Sequence, residues 1–370
     1  MKIAFYSDHT FEGYNPFEKL FASELGNLCS KATLYTNPNR PDPNSYDVLI
    51  LGNLWNKHGN SQWASVCRSF SHQQKKILLL WQSTCFDSVP FGDHVDASTH
   101  SLMTIGLPPG AIRECKAHGK AYEENQLPSL CKYFEFPSIA LSCSLYSNTL
   151  SRKEFFLKYN LNPERKLICI FATRSDRYSY WPLSVAQKHL YFYEHLNEIV
   201  RFLNDQGYEV IFKFHRAEFT PKIARLSKSF FSETSLPQLV TESKIPTAAE
   251  IDTQALLHHS DLSIVLGESD VSNWLYVFNL PTLVFHFSST RKAACPWLYG
   301  KDYLSDYFWG LDCSLDDFNE NPPKKISELI NYSQKPKDLT QPHPIWGNAY
   351  EKDMGSLASM ALNALTHDSQ

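Results

Sequence analysis

Short and almost continuous apolar runs recur along this chain, and each is followed by a polar loop and an amphipathic segment. Strands buried on both faces of a parallel sheet carry such runs, and their alternation with helical patterns is typical of α/β proteins. The clearest runs are residues 47–51 (DVLIL), 76–81 (KILLLW), 166–171 (KLICIF), 209–214 (EVIFKF) and 262–266 (LSIVL). We therefore expect an α/β chain with doubly wound parallel sheets.

The alternation falls into two blocks, which are separated by a proline-interrupted stretch between about residues 90 and 145. A chain of 370 residues has room for about two domains of ordinary size. We expect a Rossmann-like domain over residues 1–148 and a second over residues 149–335, with a cleft between them. Further strands are predicted near residues 3–6, 32–35, 102–105, 138–142, 238–241 and 282–285, and helices over residues 16–28, 62–70, 152–159, 184–206, 221–231, 252–259, 269–278 and 349–365. The proline- and lysine-rich tail over residues 321–343 is expected to be irregular.

Composition narrows the classes of partner and compartment. The net charge of −4 gives no basic field that would attract nucleic acid. No apolar run approaches the roughly 20 residues that a membrane-spanning helix needs. The nine cysteines are scattered and form no C-x-x-C pair, which favours buried thiols in a reducing cytosol over disulfides or a zinc site. The first apolar stretch is too short for a signal peptide, so we expect a cytoplasmic protein.

The loops that follow the strands are the places to look for chemistry, because ligands of open α/β sheets bind beyond the carboxyl ends of the strands. His215 and Arg216 follow the predicted strand over residues 209–214. Both side chains can donate hydrogen bonds to a phosphate. The alternative is that His215 caps the next helix and that Arg216 is an ordinary exposed residue.

A second loop joins the predicted strand over residues 262–266 to the next helix. Gly267 allows a tight turn, and Ser269 or Asp270 can cap the helix, whose free N–H groups suit the phosphate of a nucleotide. Glu268 could accept hydrogen bonds from ribose hydroxyls, and the alternative for the whole loop is plain helix capping. Neither a G-x-G-x-x-G sequence nor a Walker loop occurs, which argues against nicotinamide and P-loop chemistry.

A third loop follows the predicted strand over residues 166–171 and contains Thr173, Arg174 and Arg177. Two arginines together with hydroxyl groups would suit a pyrophosphate. The alternative is a solvated turn without a ligand.

In the first block, Asp8 and His9 follow the first predicted strand and are candidate general bases. The alternative for Asp8 is a helix cap or a turn residue. Gln82 and Ser83 follow the fourth strand, and they could only orient a substrate because both are neutral at pH 7. No D-x-D motif stands in a suitable strand-end loop, so no metal site is expected.

The second block resembles a known group of enzymes. Residues 252–264 read DTQALLHHSDLSI, which follows the pattern D-T-x-x-L-L-x-x-S-D-L-x-I, and they run into a serine-containing helix start and then a proline-led strand. Together with a Lys-x-His loop, this order resembles the donor half of GT-B glycosyltransferases over about residues 150–290. It is most similar to the group of CDP-glycerol glycerophosphotransferases and bacterial capsule or polysialic-acid transferases.

The resemblance implies a nucleotide site in the second domain. In that group, a K-x-H-P loop and a D-Y-S-S helix start hold the nucleotide phosphates. Lys213 and His215 match the first motif, with Arg216 in place of the proline. Ser269 and Ser272 match the second motif within the sequence E-S-D-V-S.

The first domain departs from the group after the fourth strand. The teichoic-acid enzymes carry W-H-G there, and its histidine looks like a catalytic base. Here Trp81 is followed by Gln82, which passes the role of base to Asp8 or His9 as a hypothesis. The resemblance also implies that the helix over residues 349–365 crosses back onto the first domain.

The activity that the resemblance implies is that of a cytoplasmic GT-B transferase, in which two doubly wound Rossmann-like domains face each other across a cleft. Its donor would be a nucleotide-sugar or a CDP-alditol, and its acceptor a surface glycan or a lipid-linked glycan. It would use no metal and no cofactor besides the donor, and aromatic patches would allow peripheral contact with the inner face of a membrane. Two alternatives stay open: a nucleotide-sugar 2-epimerase, with Glu268 and Asp270 as acidic groups near the sugar, and a non-catalytic partner protein of the same fold.

Overall fold

The structure of the chain is a computed structural model that describes residues 1–7, 15–36, 38–52, 62–80, 97–107, 131–139, 142, 150–172, 193, 195–215, 218, 240, 253–266, 271, 280–286, 310–314, 322–333 and 352–366. The chain divides into two compact units. The first contains Met1–Ser147 and Pro342–Gln370, and the second contains Asn148–Gln341. None of the helices in the described ranges is long and apolar enough to cross a membrane.

Parallel strands and helices alternate through the described residues. The strands are β1 Lys2–Ser7, β2 Lys31–Thr36, β3 Val48–Gly52, β4 Lys76–Leu80, β5 Met103–Leu107, β6 Lys132–Glu135, β7 Lys166–Phe171, β8 Tyr208–Lys213, β9 Leu262–Leu266, β10 Thr282–His286 and β11 Gly310–Ser314. The helices are α1 Asn15–Leu28, α2 Gln62–Ser71, α3 Ala97–His100, α4 Arg152–Lys158, α5 Leu196–Asp205, α6 Thr253–His259, α7 Pro322–Ser333 and α8 Met354–Thr366. The expected α/β class is confirmed.

The first unit is built on a six-stranded sheet in the order β2-β1-β3-β4-β5-β6, and every neighbouring pair of its strands is parallel. All five residues of β3 are buried, as its continuous apolar run predicts. In β4, only the first residue, Lys76, is exposed. Burial on both faces is what removes the alternation of polar and apolar residues from these strands.

Helix α8 returns to the first unit from the C-terminal end of the chain and packs against α1. The Lys76 ammonium donates to the carbonyl oxygen of Leu365, near the end of α8, at 3.0 Å. Before the helix begins, the Ser142 hydroxyl donates to the carbonyl oxygen of Lys352, also at 3.0 Å. These two bonds join α8 and Lys352, which shortly precedes it, to segments of the first unit that lie more than 200 residues earlier in the sequence.

The second unit has a five-stranded parallel sheet in the order β11-β10-β9-β7-β8. Its core combines strand residues with the buried face of α5, where Leu196, Ile199 and Leu203 have at most 1% of their surface exposed. Helix α5 ends beside Gly207, whose φ of +85° lies in the left-handed region that glycine adopts without strain. The sequence therefore places both the helix end and the start of β8 to within one residue.

One strand of the first unit differs from its prediction. The strand expected over residues 138–142 is wrong, because Ser138, Ile139 and Ser142 are not in a strand, and the sixth strand is β6, earlier in the chain. The last ladder contact beyond β6 is the bond from the Phe136 N–H to the Leu107 carbonyl at 2.7 Å, and the next residue is a proline without an N–H group. As an edge strand with exposed ends, β6 carries no continuous apolar run that would reveal it.

The tail also differs from its prediction. Residues 322–333 form α7, although the proline- and lysine-rich composition predicts an irregular segment. Prolines at the first helical positions are tolerated because the N–H groups there have no partner within the helix. Ile326 is 1% exposed and joins the core of the second unit, and Ile330 packs against that core one helical turn later. Burial of this face outweighs the composition of the segment.

Two further predictions in the second unit are corrected at the described residues. The single helix expected over residues 184–206 is interrupted, because His195 lies in a turn and α5 begins at Leu196. The strand expected over residues 238–241 is wrong at Val240, which is helical and completely buried. An apolar run of four residues fits a buried helical turn as well as it fits a strand, so periodicity could not separate the two.

Candidate functional site

Each sheet contains a position where the strand order reverses. In the first unit this switch point lies between β1 and β3, and in the second it lies between β7 and β9. Chain connections leave such a pair of strands in opposite directions, which opens a crevice beyond their carboxyl ends where ligands of α/β proteins bind. The residues that end these strands and the strand beside them therefore define a candidate site in each unit.

In the first unit, Ser7 ends β1 and lies beside Gly52, the last residue of β3, in the parallel register. The Ser7 hydroxyl donates a hydrogen bond of 2.6 Å to Oε1 of Glu18, which belongs to the first half of α1. Ser7 is completely buried and Glu18 is 3% exposed. The sequence thus brings a serine, a carboxyl group and a glycine together at the switch point.

Burial controls the ionisation of Glu18. It raises the pKa of the Glu18 carboxyl to about 7, and the hydrogen bond from Ser7 opposes this rise by a smaller amount. The group therefore changes its protonation state in the neutral pH range, where an ordinary glutamate is fully ionised. A carboxyl group of this kind can accept or release a proton at physiological pH.

Gly52 leaves the space that this arrangement needs. A Cβ atom at this position would lie 2.7 Å from Cε2 of Phe5 and 3.4 Å from Oε1 of Glu18. The first distance is shorter than a real contact, so a side chain here would displace the Phe5 ring beside the carboxyl group. The prediction that Gly52 ends a strand is confirmed.

In the second unit, Lys213 ends β8, the strand next to β7, and His215 follows it by two residues. Lys213 is 5% exposed, and its carbonyl oxygen accepts a 3.0 Å hydrogen bond from the Ala172 N–H just beyond β7. The His215 side chain is exposed, while its carbonyl oxygen accepts from the Glu218 N–H at 3.0 Å. The chain therefore turns immediately after β8, and this Lys-x-His loop lies at the carboxyl edge of the sheet, as the sequence predicts.

Most of the other predicted site residues lie outside the described part of the chain. These are Asp8, His9, Thr173, Arg174, Arg216, Gly267, Glu268, Ser269, Asp270 and Ser272. Within the predicted helix over residues 269–278, Val271 is described and is helical. The structure therefore places Lys213 and His215 among the predicted residues, and the remaining positions stay predictions.

The second aspartate of the motif that carries the family resemblance has a structural role. Asp261 precedes β9 at the amino edge of the second sheet, opposite the edge that holds Lys213 and His215. Its Oδ2 atom accepts from the Leu167 N–H and from Arg152 Nη2, both at 2.7 Å. Arg152 also donates to the carbonyl oxygens of His259 and Arg165. This aspartate therefore joins α4, β7 and β9, and it does not contact the candidate ligand edge.

No group of three or more histidine, cysteine, aspartate or glutamate residues is arranged to hold a metal ion within the described ranges. The cysteines described there are free thiols, of which Cys67, Cys131 and Cys169 are buried and Cys29 is half-buried. Burial raises the pKa of the Cys169 thiol well above its usual value, and the nearby Lys213 charge opposes this rise. The interpretation of these cysteines as buried thiols is confirmed for Cys67, Cys131 and Cys169.

Sequence reasoning missed two glutamates that the structure buries. Glu18 lies three and seven residues before Phe21 and Leu25, so it has the same helical phase as the buried face of α1. A carboxyl group at that phase was the signal that could have revealed it. Glu218, which is completely buried after the Lys-x-His loop, lies in a stretch with no comparable periodicity.

Several solved structures share this fold over nearly the whole chain. The UDP-GlcNAc 2-epimerase of Methanocaldococcus jannaschii superposes with a TM-score of 0.58 at 13% identity, covering 98% of this chain and 99% of that chain. The UDP-GlcNAc 2-epimerase of Neisseria meningitidis, solved with UDP-GlcNAc, gives 0.56 at 11% identity over 99% of both chains. A variant of the wall teichoic acid polymerase TagF gives 0.53 at 11% identity over 98% of this chain and 88% of that chain.

No protein-family model matches the sequence, and no curated protein matches it. At identities of 11% to 13%, these superpositions establish a shared fold alone. The chain therefore has the α/β fold of these enzymes, with two doubly wound Rossmann-like units, as the resemblance to GT-B proteins predicts.

Proposed function

We propose that this chain is a transferase that moves a sugar or an alditol phosphate from a nucleotide-activated donor to a hydroxyl group of a surface-glycan or lipid-linked acceptor. The observation that carries this proposal is the Lys-x-His loop, formed by Lys213 and His215, at the carboxyl edge of the second sheet. The shared fold with a teichoic acid polymerase supports it.

The donor nucleotide would bind to the second unit. Lys213 brings a positive charge that is almost removed from water to the end of β8, and His215 presents an exposed ring two residues later. Charge-assisted hydrogen bonds to phosphate are strongest where solvent is excluded. Arg216, Thr173 and Arg174 are the predicted further phosphate ligands, and Gly267, Glu268, Ser269, Asp270 and Ser272 form the predicted nucleotide-binding helix start.

The reaction would depend on electrostatic stabilisation of the leaving group. Negative charge develops on the nucleotide phosphate as its bond to the transferred group breaks, and His215 with Lys213 would stabilise that charge. The lysine, histidine and arginine side chains would supply the positive potential, so the proposed reaction uses no metal and no cofactor besides the donor. On the acceptor side a base must remove the hydroxyl proton, and Asp8 or His9 is the residue that the sequence predicts for this role.

A nucleotide-sugar 2-epimerase is the second candidate. Two UDP-GlcNAc 2-epimerases share the fold with almost complete coverage of both chains, and one of them was solved with UDP-GlcNAc. Glu268 and Asp270 would then act on the sugar as acidic groups. An epimerase converts its donor without an acceptor, which separates it from a transferase.

The decisive experiment is a thermal-shift screen of the whole chain against CDP, CMP, UDP and GDP, followed by incubation with the matching activated donor. A nucleotide that binds only the native state raises the melting temperature by mass action. At a nucleotide concentration of about 100 times Kd, it adds about 2.7 kcal/mol to the free energy of unfolding. Conversion of the donor sugar to its C2 epimer without acceptor would identify the epimerase, and donor binding without any conversion would identify a non-catalytic partner protein. No shift with any of the four nucleotides would overturn the proposal.

A further inference from the structure

The Glu18 carboxyl lies at the switch point of the first unit, between the last residues of β1 and β3. Glu18 belongs to the first turn of helix α1 and is 3% exposed. A charged carboxyl group on the buried face of a helix destabilises the fold, and the single hydrogen bond from Ser7 offsets only part of that cost. The place of this carboxyl group at the ligand edge of the sheet suggests a chemical reason.

We propose that Glu18 is the catalytic base of the first unit, and that it takes the proton of a neutral hydroxyl group bound beyond the carboxyl ends of β1 and β3. This inference rests on the proposed function, for which it identifies the group that activates the acceptor. It competes with the sequence-based hypothesis that Asp8 or His9 has this role.

The surroundings of Glu18 favour a neutral ligand group over a phosphate. Among the described residues, the Ser7 hydroxyl donates to the carboxyl group, and the space above Gly52 is bounded by the Phe5 ring and by Glu18 Oε1. Ser7, Phe5 and Gly52 are all uncharged. A phosphate placed beside a carboxylate in such a site would be repelled. A sugar or polyol hydroxyl can instead donate to the carboxylate, which accepts up to about four hydrogen bonds, of which Ser7 supplies one.

The pKa of the Glu18 carboxyl suits a base that takes a proton from a hydroxyl group. Burial and the Ser7 hydroxyl are the influences on the pKa of Glu18, and together they bring it to about 7. A base whose pKa lies near the working pH is ionised in a large fraction of molecules and still has a strong affinity for the proton.

The transfer forms one bond, breaks one bond and moves one proton. The acceptor oxygen forms a bond to the carbon or phosphorus atom of the group that is transferred. The bond from that atom to the nucleotide oxygen breaks, and its electron pair leaves with the nucleotide. The hydroxyl proton passes to the Glu18 carboxylate, which releases it to water after the product has left.

The test compares Glu18→Gln with Glu24→Gln, which removes a carboxylate from the same helix at a half-buried position that accepts a hydrogen bond from Asn27. Turnover is followed as nucleotide release from UDP-GlcNAc or CDP-glycerol, with water, glycerol and N-acetylglucosamine as hydroxyl probes. We expect Glu18→Gln to lower kcat by about 100-fold or more, with unchanged donor affinity, and Glu24→Gln to behave as the wild type. Asp8→Asn and His9→Ala, measured in the same assay, test the competing hypothesis, under which one of them and not Glu18→Gln would abolish turnover.

A second variant keeps the test independent of folding effects. Ser7→Ala leaves the carboxyl group in place but removes the hydrogen bond that lowers its pKa, so the rise of kcat/KM with pH should move to higher pH. The role of Glu18 is overturned if Glu18→Gln keeps full turnover or if the pH profile of Ser7→Ala is not shifted. It is also overturned if the wild type binds a donor but does not turn it over with any of the hydroxyl probes. Absence of donor binding would instead overturn the proposed function.

Discussion

Arg152 and Asp261 form a 2.7 Å ion pair that fastens the first helix of the second unit to the amino ends of two of its strands. The same carboxylate oxygen accepts the Leu167 N–H at the start of β7, and the Asp261 N–H donates in turn to the Leu167 carbonyl at 2.8 Å. The guanidinium also lies 4.4 Å above the Phe156 ring. One aspartate therefore connects α4 to the amino ends of β7 and β9.

Replacement of this aspartate should destabilise the second unit. Asp261→Ala removes two charge-assisted hydrogen bonds, and because the pair is about one-third exposed we expect a loss of about 2 kcal/mol in the free energy of unfolding. Glu209→Gln is the matched control, because its pair with Arg165 is 3.7 Å long and more loosely held. It should cost about 0.5 kcal/mol or less. Urea denaturation measures both, and equal losses would contradict the role given to Asp261.

The strands that sequence reasoning located best are those that burial defines most strongly. β9 is buried at all five residues, and its predicted bounds are those of the structure. β6 was misplaced because it lies at a sheet edge and its terminal residues are exposed, so no apolar run identifies it. Pattern-based prediction therefore succeeds where a strand carries a continuous apolar run, as β9 and the edge strand β8 do, and fails where an edge strand such as β6 lacks one.

The candidate site shows the same limit. Lys213 and His215 were found because they end an apolar run, where the position of a polar residue is informative. Glu18 was missed because its charge suggested a surface residue, whereas its helical phase matches that of Phe21. Tertiary packing decides which residues of a helix are covered, and no local pattern contains that information.

Gly52 and Gly26 should respond in opposite directions to replacement by alanine. At Gly52 the new Cβ would lie 2.7 Å from the Phe5 ring, so we expect a loss of about 1 to 3 kcal/mol. Gly26 lies inside α1, where an added Cβ would meet open space within 4 Å, and alanine there should stabilise the helix by about 0.5 to 1 kcal/mol. Thermal melts of the two variants test this. A stabilised Gly52→Ala would show that the Phe5 ring can move without cost.

His259 should make the second unit sensitive to acid. Burial first, and then the charges of His258 and Arg152, lower the pKa of His259 from 6.5 to about 4. Between these values the unfolded chain binds a proton that the folded chain does not, so stability is complete above about pH 6.5 and falls as the pH decreases towards 4.

The test of this slope is His259→Phe, which retains a ring beside Phe155, whose centroid lies 4.4 Å from that of His259. The variant should lose that part of the decline in stability between pH 6.5 and 4, as measured by urea denaturation at several pH values. His72→Gln, at an exposed position of the first unit, serves as the control and should keep it. An unchanged slope in His259→Phe would assign the acid sensitivity to another group.

His215 provides the test of the donor site. In the proposed function its exposed ring contacts the nucleotide phosphate, so His215→Ala should weaken binding of the nucleotide identified in the thermal-shift screen by about 10-fold, the effect of roughly 1.4 kcal/mol from one charge-assisted hydrogen bond. His258→Ala is the control, because this exposed histidine lies near the amino edge of the same sheet. Isothermal titration calorimetry gives both affinities. Equal affinities in the two variants would place the nucleotide away from the carboxyl end of β8, since a ligand that contacts His215 must lose that contact when the ring is removed.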